Sequence, residues 1–503
     1  MSVLRNSLAN FLGGVLPALV MLVTVPLMVS GLGLADYGML TLITAITGYF
    51  SIMDINLTAG SVKFVAEYRA LGDSGRESET IVLGLLFYLV LGIVGAGALY
   101  TFAMPLADRL FSIPAAQQPV AAAALRVAAV GFLLGQIQQY LNSLPQAIQR
   151  YDASSKLESL FGVVVPIASV LALQNGAGLV EVVEIRVAGS AIHLLALAAW
   201  CRKLFPELRL VPPSREIVKR VTSFSAFAYL GKLAALTYAH ADKLIIGAVL
   251  GVEAVTIYAV PATLVNRFLA LTFRLSSVVF PATSQLAATG QWSRLEAMYL
   301  SSTKYITYLN GVIVLLIVLF GQELLAYWVG GAVAAQGYWV LLLTAFAMFC
   351  DSLTNLPSLV NDGLGHVRVS GLFAIARGVL GLALTWGLAQ AAGINGVAIG
   401  HLLASVILGT AFIFYAHGRT VPYRASVYLR DGLGGALLAV GGPGLLMWIL
   451  RPDRTLGSGV TLSAGALCAA LFILIGWKWI LLPRDRREVM QKLRSRSSGP
   501  AAN

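Results

Sequence analysis

Residues 32–57 read LGLADYGMLTLITAITGYFSIMDINL. The stretch is mostly apolar and long enough to cross a bilayer, since about 20 such residues span the hydrocarbon. Leu32-Gly33 and Tyr37-Gly38 at its start read as a close turn followed by an interfacial aromatic anchor. Asp54 and Asn56 lie near its far end, where an all-apolar helix would have neither. A carboxylate at that depth calls for an aqueous surface rather than lipid.

Working outward from this segment, the chain has 503 residues, 58% hydrophobic and 12% charged. Its mean hydropathy of +0.81 excludes a soluble domain of this length. Apolar stretches recur at about 8–30, 38–60, 80–103, 119–146, 157–174, 178–200, 220–246, 254–284, 302–326, 334–359, 368–391, 394–416, 432–450 and 457–482. The fold class expected is an all-α polytopic membrane protein with about 14 transmembrane helices. A barrel would instead show short alternating strands. The first stretch exceeds signal-peptide length and lacks a small-residue cleavage site, so it reads as a retained span. Cys201, Cys350 and Cys468 are far apart and form no metal or redox spacing, which makes them small core residues.

The net charge of +12 is distributed unevenly. With both termini placed in the cytoplasm, 25 of the 35 Lys and Arg fall on that side and three (Arg109, Arg451, Arg454) on the other. Seven lie within spans. The asymmetry follows the positive-inside rule and an even helix count. The basic balance therefore needs no nucleic-acid partner, and the tail RDRREVMQKLRSRSS reads as facing lipid headgroups.

The longest hydrophilic connection, residues 202–219, holds Pro212-Pro213 and reads as a cytoplasmic linker. It divides the chain into a six-helix bundle (1–201) and a second one (220–417). Two further helices (418–483) and a basic tail (484–503) follow. An offset of 218 residues pairs Leu32 with Leu250, Gly33 with Gly251, Phe50 with Phe268, Leu57 with Leu275, Ala70 with Ala288, Gly72 with Gly290 and Arg76 with Arg294. Six helices separate the copies, so both insert in the same direction. Such parallel repeats place a substrate site between them, near the midplane.

These residues carry a resemblance. Leu32-Gly33, Tyr37-Gly38, Asp54, Ala66-Glu67 and Gly72-Asp73 resemble the first helical hairpin of polysaccharide (Wzx-type) flippases of the multidrug/oligosaccharidyl-lipid/polysaccharide exporter superfamily. Asp242-Lys243, Leu250-Gly251 and Tyr258 resemble the same superfamily's seventh and eighth helices. The chain departs at Asp54-Ile55-Asn56, where members often carry Asp, an apolar residue and Gly. Asn adopts unusual backbone less freely than Gly.

The cations inside spans are Arg126, Arg186, Lys232, Lys243, Arg267, Arg274 and Arg377, against the clear acids Asp54, Asp242 and Asp351. Each would cost about 3 kcal/mol facing lipid. A cationic cavity favours anions, and Arg forks suit phosphate. Arg267 and Arg274 share a helix face at a spacing of seven, as do Lys232 and Lys243 at eleven. Lys232, Arg267, Arg274 and Arg377 are the candidates for binding a diphosphate or acidic sugar; pairing with acids or snorkelling is the competing reading. Lys243 reads as a partner of Asp242, and Arg126 and Arg186 as snorkelling residues near helix ends. Asp351 and Asn355, just before Pro357, either bind a coupling proton or Na⁺ or satisfy carbonyls freed by the proline. Asp54 is open to the same two readings. Gly396 and Gly400 read as a close-packing GxxxG. The glycines of residues 432–442 make a slim helix that suits either a groove for a lipid tail or plain packing.

No P-loop, nucleotide loop or metal-spaced cluster is present, so no cofactor beyond a coupling H⁺ or Na⁺ is expected, and no enzymatic activity. The resemblance implies a secondary transporter of the bacterial cytoplasmic membrane with both termini inside. It would flip an undecaprenyl-diphosphate-linked oligosaccharide from the cytoplasmic to the periplasmic leaflet by alternating access. Its expected partners are that lipid-linked oligosaccharide, membrane lipids, and the polymerase and assembly proteins of polysaccharide biosynthesis. The competing functions are a multidrug exporter of the same superfamily, a lipid II flippase, and a glycan polymerase or ligase. The cation excess opposes the exporter, and the lack of a large periplasmic loop opposes the polymerase.

Overall fold

A computed structural model describes residues 3–50, 57–111, 113–148, 150–276, 279–449, 458–483 and 486–487. Among these the regular structure is entirely helical. In lipid a segment must satisfy its own backbone hydrogen bonds, and a helix does so residue by residue. The helices are α1 (Val3–Phe50), α2 (Leu57–Ala70), α3 (Ser74–Pro105), α4 (Gln118–Ala147), α5 (Tyr151–Gln174), α6 (Leu179–Leu204), α7 (Arg215–Leu250) and α8 (Val252–Ser276). They continue with α9 (Val279–Ala288), α10 (Trp292–Val329), α11 (Gly331–Gly363), α12 (Val367–Arg419), α13 (Ala425–Val427), α14 (Gly435–Ile449) and α15 (Ser458–Ile475). Ten helical stretches among the described residues are long and apolar enough to cross a membrane. The protein is an all-helical, multi-pass membrane protein.

Glycine sets the breaks. α1 is interrupted at Gly33 (φ 77°, ψ 173°), and α7 stops on Gly251 (φ 86°, ψ 174°), the same backbone conformation 218 residues later. α12 is interrupted at Ala392-Gly393, where Gly393 has φ 59°. All three glycines lie in the left-handed half of backbone space that disfavours a Cβ. The ends of α2 and α9 also match at this offset. Gly72 N–H donates to Arg69 O (3.1 Å) and Asp73 N–H to Tyr68 O (2.9 Å). Gly290 N–H donates to Ala287 O (3.1 Å) and Gln291 N–H to Leu286 O (2.9 Å). Both are glycine C-caps of the Schellman type. Asp73 then caps α3 by accepting from Arg76 N–H at 2.9 Å.

The Tyr37-Gly38 pair of the opening stretch has a packing role. A Cβ at Gly38 would lie 1.9 Å from the carbonyl oxygen of Val252, so α1 and the start of α8 meet backbone to backbone. Beside this contact, Thr256 Oγ1 donates to Leu34 O at 2.7 Å. Leu34 and Gly38 correspond to Val252 and Thr256 at the 218-residue offset, so the two contacts mirror each other.

The helices form two compact units, the first Met1–Val260 with Ala389–Val397 and the second Pro261–Leu388 with Ala398–Asn503. Unit 1 packs around the stacked rings of Tyr88 and Tyr140 (centroids 5.2 Å apart), with Phe64, Tyr68 and Leu197 around them. Tyr140 donates to Ile81 O at 3.1 Å, and its ring occupies the space a side chain at Gly84 would need. Cys201 is buried in this core, whereas Cys350 and Cys468 are half-buried free thiols. Unit 2 packs around Tyr299, which lies against Tyr423, Tyr428 and His417 and hydrogen-bonds His417 Nε2 at 2.9 Å. α14 and α15 both pack on α10, where Tyr308 donates to Phe472 O at 2.6 Å. In the slim segment before and within α14, a Cβ at Gly432 would meet Thr303 at 3.1 Å, whereas Gly441 and Gly442 border open space.

The outward surface is apolar. Leu86, Val90, Ile93 and Val94 of α3 and Leu437, Leu438, Leu445 and Leu446 of α14 are all exposed. Patches of this extent do not face water in a monomeric soluble protein. Lipid is therefore the solvent on these faces, and small residues and hydrogen bonds draw the helices together.

Candidate substrate site

The polar interior of unit 1 is built on α4. Gly135, Gln139, Asn142 and Gln146 are spaced 4, 3 and 4 residues apart and so share one helix face. They line a cleft of about 860 Å³ together with Thr58 of α2, Glu158 of α5 and Ser190 of α6. A second cleft of about 410 Å³ shares Gly135, Gln139 and Ser190 with it. It continues along α4 past Gln136 and Gly131 to Ala128, and its other walls mix Thr44, Thr47, Leu40 and Ile43 of α1 with Arg186, Val183 and Val187 of α6. From Gly131 to Gln146 the α4 wall is about 22 Å long at the helical rise.

Some of these groups are tied to neighbouring helices. Asn142 Nδ2 donates to Glu158 Oε1 at 2.6 Å. Gln138 Nε2 and His193 Nδ1 are 2.7 Å apart, with the imidazole stacked on Phe161. Arg186 Nη1 donates to Thr44 Oγ1 at 3.3 Å. Other atoms have no such tie among the described residues. Gln136 is 3% exposed, yet its Oε1 has no hydrogen-bond partner among the described residues, and neither has Asn142 Oδ1.

Unit 2 brings two of the sequence candidates together. Arg377 of α12 donates to Asp351 of α11, whose carboxylate is 7% exposed. Asn355, one turn further along α11, donates to Ser276 Oγ at the end of α8 (2.5 Å). Arg267 is exposed on α8. The side chains of Lys232 and Arg274, and all of residues 51–56 with Asp54 and Asn56, lie outside the described residues. Lys243 pairs with Asp242 at 3.1 Å, as the sequence suggested. Arg126 lies over the Tyr100 ring, 5.6 Å from its centroid. Arg186 differs from expectation. It does not run out to an interface but lines the smaller cleft, because α1 and α4 cover the side of α6 on which it sits. Gly400 makes the close approach its motif implies, 2.8 Å from its Cβ position to Thr385 N.

The model of the polysaccharide biosynthesis protein family matches residues 3–287, more than half of the chain. The chain belongs to this family. A Shigella flexneri protein named as an O-antigen transporter is 21% identical over 401 residues, 79% of this chain and 94% of that one. Among solved structures, the lipid II flippase MurJ in its inward closed conformation superposes with a TM-score of 0.69 at 11% identity, covering 95% of this chain and 99% of that one. An inward-facing multidrug resistance transporter of the MATE family and MOP superfamily gives 0.67 at 17% identity, covering 80% and 94%. At these identities the structural likeness establishes the fold that the family member shares with both transporters.

Within this polysaccharide biosynthesis protein, the α4 amides are the feature that charge-based reading missed. The stretch GQIQQYLNSLPQ, residues 135–146, carries four glutamines and an asparagine inside an otherwise apolar span. The 4-3-4 spacing of Gln139, Asn142 and Gln146 from Gly135 was the available signal.

Proposed function

We infer that the chain is a secondary transporter that carries a lipid-diphosphate-linked oligosaccharide from the cytoplasmic to the periplasmic leaflet of the bacterial inner membrane. The observation that carries this reading is a pair of adjoining clefts along the α4 amides, inside a lipid-facing helical unit of a polysaccharide biosynthesis protein. In this reading the chain crosses the membrane fourteen times, with both termini inside. The matched turns at Gly33 and Gly251, and at Gly72 and Gly290, support two parallel six-helix repeats that alternate in access. α14 and α15 lie outside those repeats.

Lys232, Arg267, Arg274 and Arg377 receive the diphosphate in this reading. Asp54, Asp351 and Asn355 form the ion-coupling set for H⁺ or Na⁺. The Asp351–Arg377 pair supports an exchange step. A proton on Asp351 weakens its hold on the guanidinium, and an anionic substrate offers Arg377 a second acceptor. Polymerase and assembly proteins of the same biosynthesis are the partners that would take the flipped unit onward.

The test is lipid extraction from a strain lacking the gene, with mass spectrometry of the diphosphate-linked glycans. Completed repeat units should accumulate while surface polysaccharide is lost, and the wild-type gene should reverse both. Unchanged surface polysaccharide without accumulation would overturn the transport reading. Units that accumulate already facing the periplasm would assign the chain to polymerisation.

A further inference from the structure

We propose that the α4 wall of unit 1 is a saccharide-reading site, where Gln136, Gln139, Asn142, Gln146 and Ser190 hydrogen-bond the hydroxyl groups of uncharged sugar units. This rests on the transport reading above and adds which part of the substrate the cleft takes.

The chemistry of the wall points to hydroxyls. Each primary amide offers two N–H donors beside a carbonyl acceptor, and each sugar hydroxyl is both donor and acceptor. A row of amides on one helix face therefore matches a row of hydroxyls without fixing a charge. Among the described residues the ionisable ones lining the clefts are Glu158 in the larger and Arg186 in the smaller. Asn142 donates to Glu158 and Arg186 donates to Thr44; the two charges are of opposite sign, and the amides between them add none. Phosphate or a cationic drug would require an excess of one sign there.

Burial gives a second, independent observation. Gln136 is almost wholly buried, borders the smaller cleft, and leaves Oε1 without a partner among the described residues. Asn142 also keeps Oδ1 unpartnered after meeting Glu158. Inside a membrane each such atom is costly until a ligand or water meets it. Interhelical glue accounts for Gln138 with His193 and for one end of Asn142, and leaves Gln136 unexplained. The larger cleft also falls within the usual 300–1,000 Å³ of small-molecule sites.

The test uses the full chain in lipid nanodiscs and two radiolabelled probes, a polyprenyl diphosphate carrying a neutral trisaccharide and the same polyprenyl diphosphate without sugar. Wild type should bind the glycosylated probe at least ten-fold more tightly. In a Gln139→Leu/Asn142→Leu variant that elutes as a folded monodisperse peak, binding of the glycosylated probe should weaken roughly ten- to hundred-fold. The bare probe should change far less. Gln139→Asn/Asn142→Gln, which keeps both amides, should recover most of the preference. A preference retained in the Leu variant, or an equal loss of both probes, would overturn the proposal. Equal binding of the two probes by wild type would sink it while leaving the transport reading intact. Binding of neither probe by wild type would remove both.

Discussion

The α4 wall of unit 1 and the α11–α12 seam of unit 2 both set polar side chains into apolar helices, and they satisfy them by different means. On α4 the groups are uncharged amides, partly tied to α5 and α6 and partly left open to a cleft. On α11 and α12 the groups are charged, and Asp351 and Arg377 meet each other. The difference follows from the scale of the penalties. An unmet amide atom in a low-dielectric site costs a few kcal/mol, and water or a ligand can offset it. A lone charge at the same depth costs more and has to be answered by another charge. Along the α4 wall itself the open polarity is therefore carried by amides, while in the α11–α12 seam the buried charge of Asp351 is matched by Arg377.

The sharpest way to break this contrast is to remove one charge from the seam. Asp351→Asn takes the carboxylate from Arg377, which cannot shed its proton, and should cost about 3–5 kcal/mol. Thermal unfolding in detergent should show a markedly lower midpoint. Arg377→Met should also lower the midpoint, because it takes the guanidinium from the buried Asp351 carboxylate; an unchanged midpoint in both variants would mean that the pair does not carry the stability of the seam. Asp351→Leu/Arg377→Met should recover much of the loss.

Next in size is Gly84→Val in unit 1, which drives a side chain into the Tyr140 ring and pushes α3 from α4. Overpacking of this kind costs about 1–3 kcal/mol or more. A lowered unfolding midpoint together with loss of surface polysaccharide in complemented cells would confirm that the amide wall depends on this contact. Asn142→Leu should be milder, about 1 kcal/mol, because Glu158 loses a single hydrogen bond and stays exposed to solvent. If it proved as damaging as Asp351→Asn, the two walls would not differ in kind. The smallest effect on stability is expected from Arg267→Ala/Arg274→Ala, since Arg267 is exposed on α8. The same variant should fail to restore surface polysaccharide at equal expression, and full restoration would remove both arginines from the substrate path.

Much of the fold was legible because the strongest sequence signals were local ones. Apolar length marked the helices, and the left-handed turns at Gly33, Gly72, Gly251 and Gly290 coincide with glycines the repeat comparison had already paired. Lys243 and Asp242 are chain neighbours, and their pairing could be read directly. The site was less legible because it depends on which helices touch. Asp351 and Arg377 were both picked out by charge, yet they were given separate roles, because 26 residues and a helix-to-helix contact lie between them. Arg186 looked interfacial from its place along α6 alone. The glutamines drew no attention because a search for costly residues looks for charge, and an uncharged amide is cheap enough to be left open. Asp54 and Asn56, which posed the first question, lie outside the described residues.

The notch at Gly38 has a consequence for how the chain is made. What fills it is the backbone of Val252, 214 residues further on. At about 5–20 residues per second of synthesis, the second half of α1 enters the membrane roughly 10 to 40 s before its counterpart exists. Through that interval the backbone that fills the gap in the finished protein is not yet made. The nascent amino-terminal helices must therefore wait in the bilayer with their eventual neighbour missing, in the care of the insertion machinery or of lipid. A crosslinker placed beside Gly38 in stalled ribosome complexes should capture that transient neighbour before residue 252 is translated, and lose it afterwards.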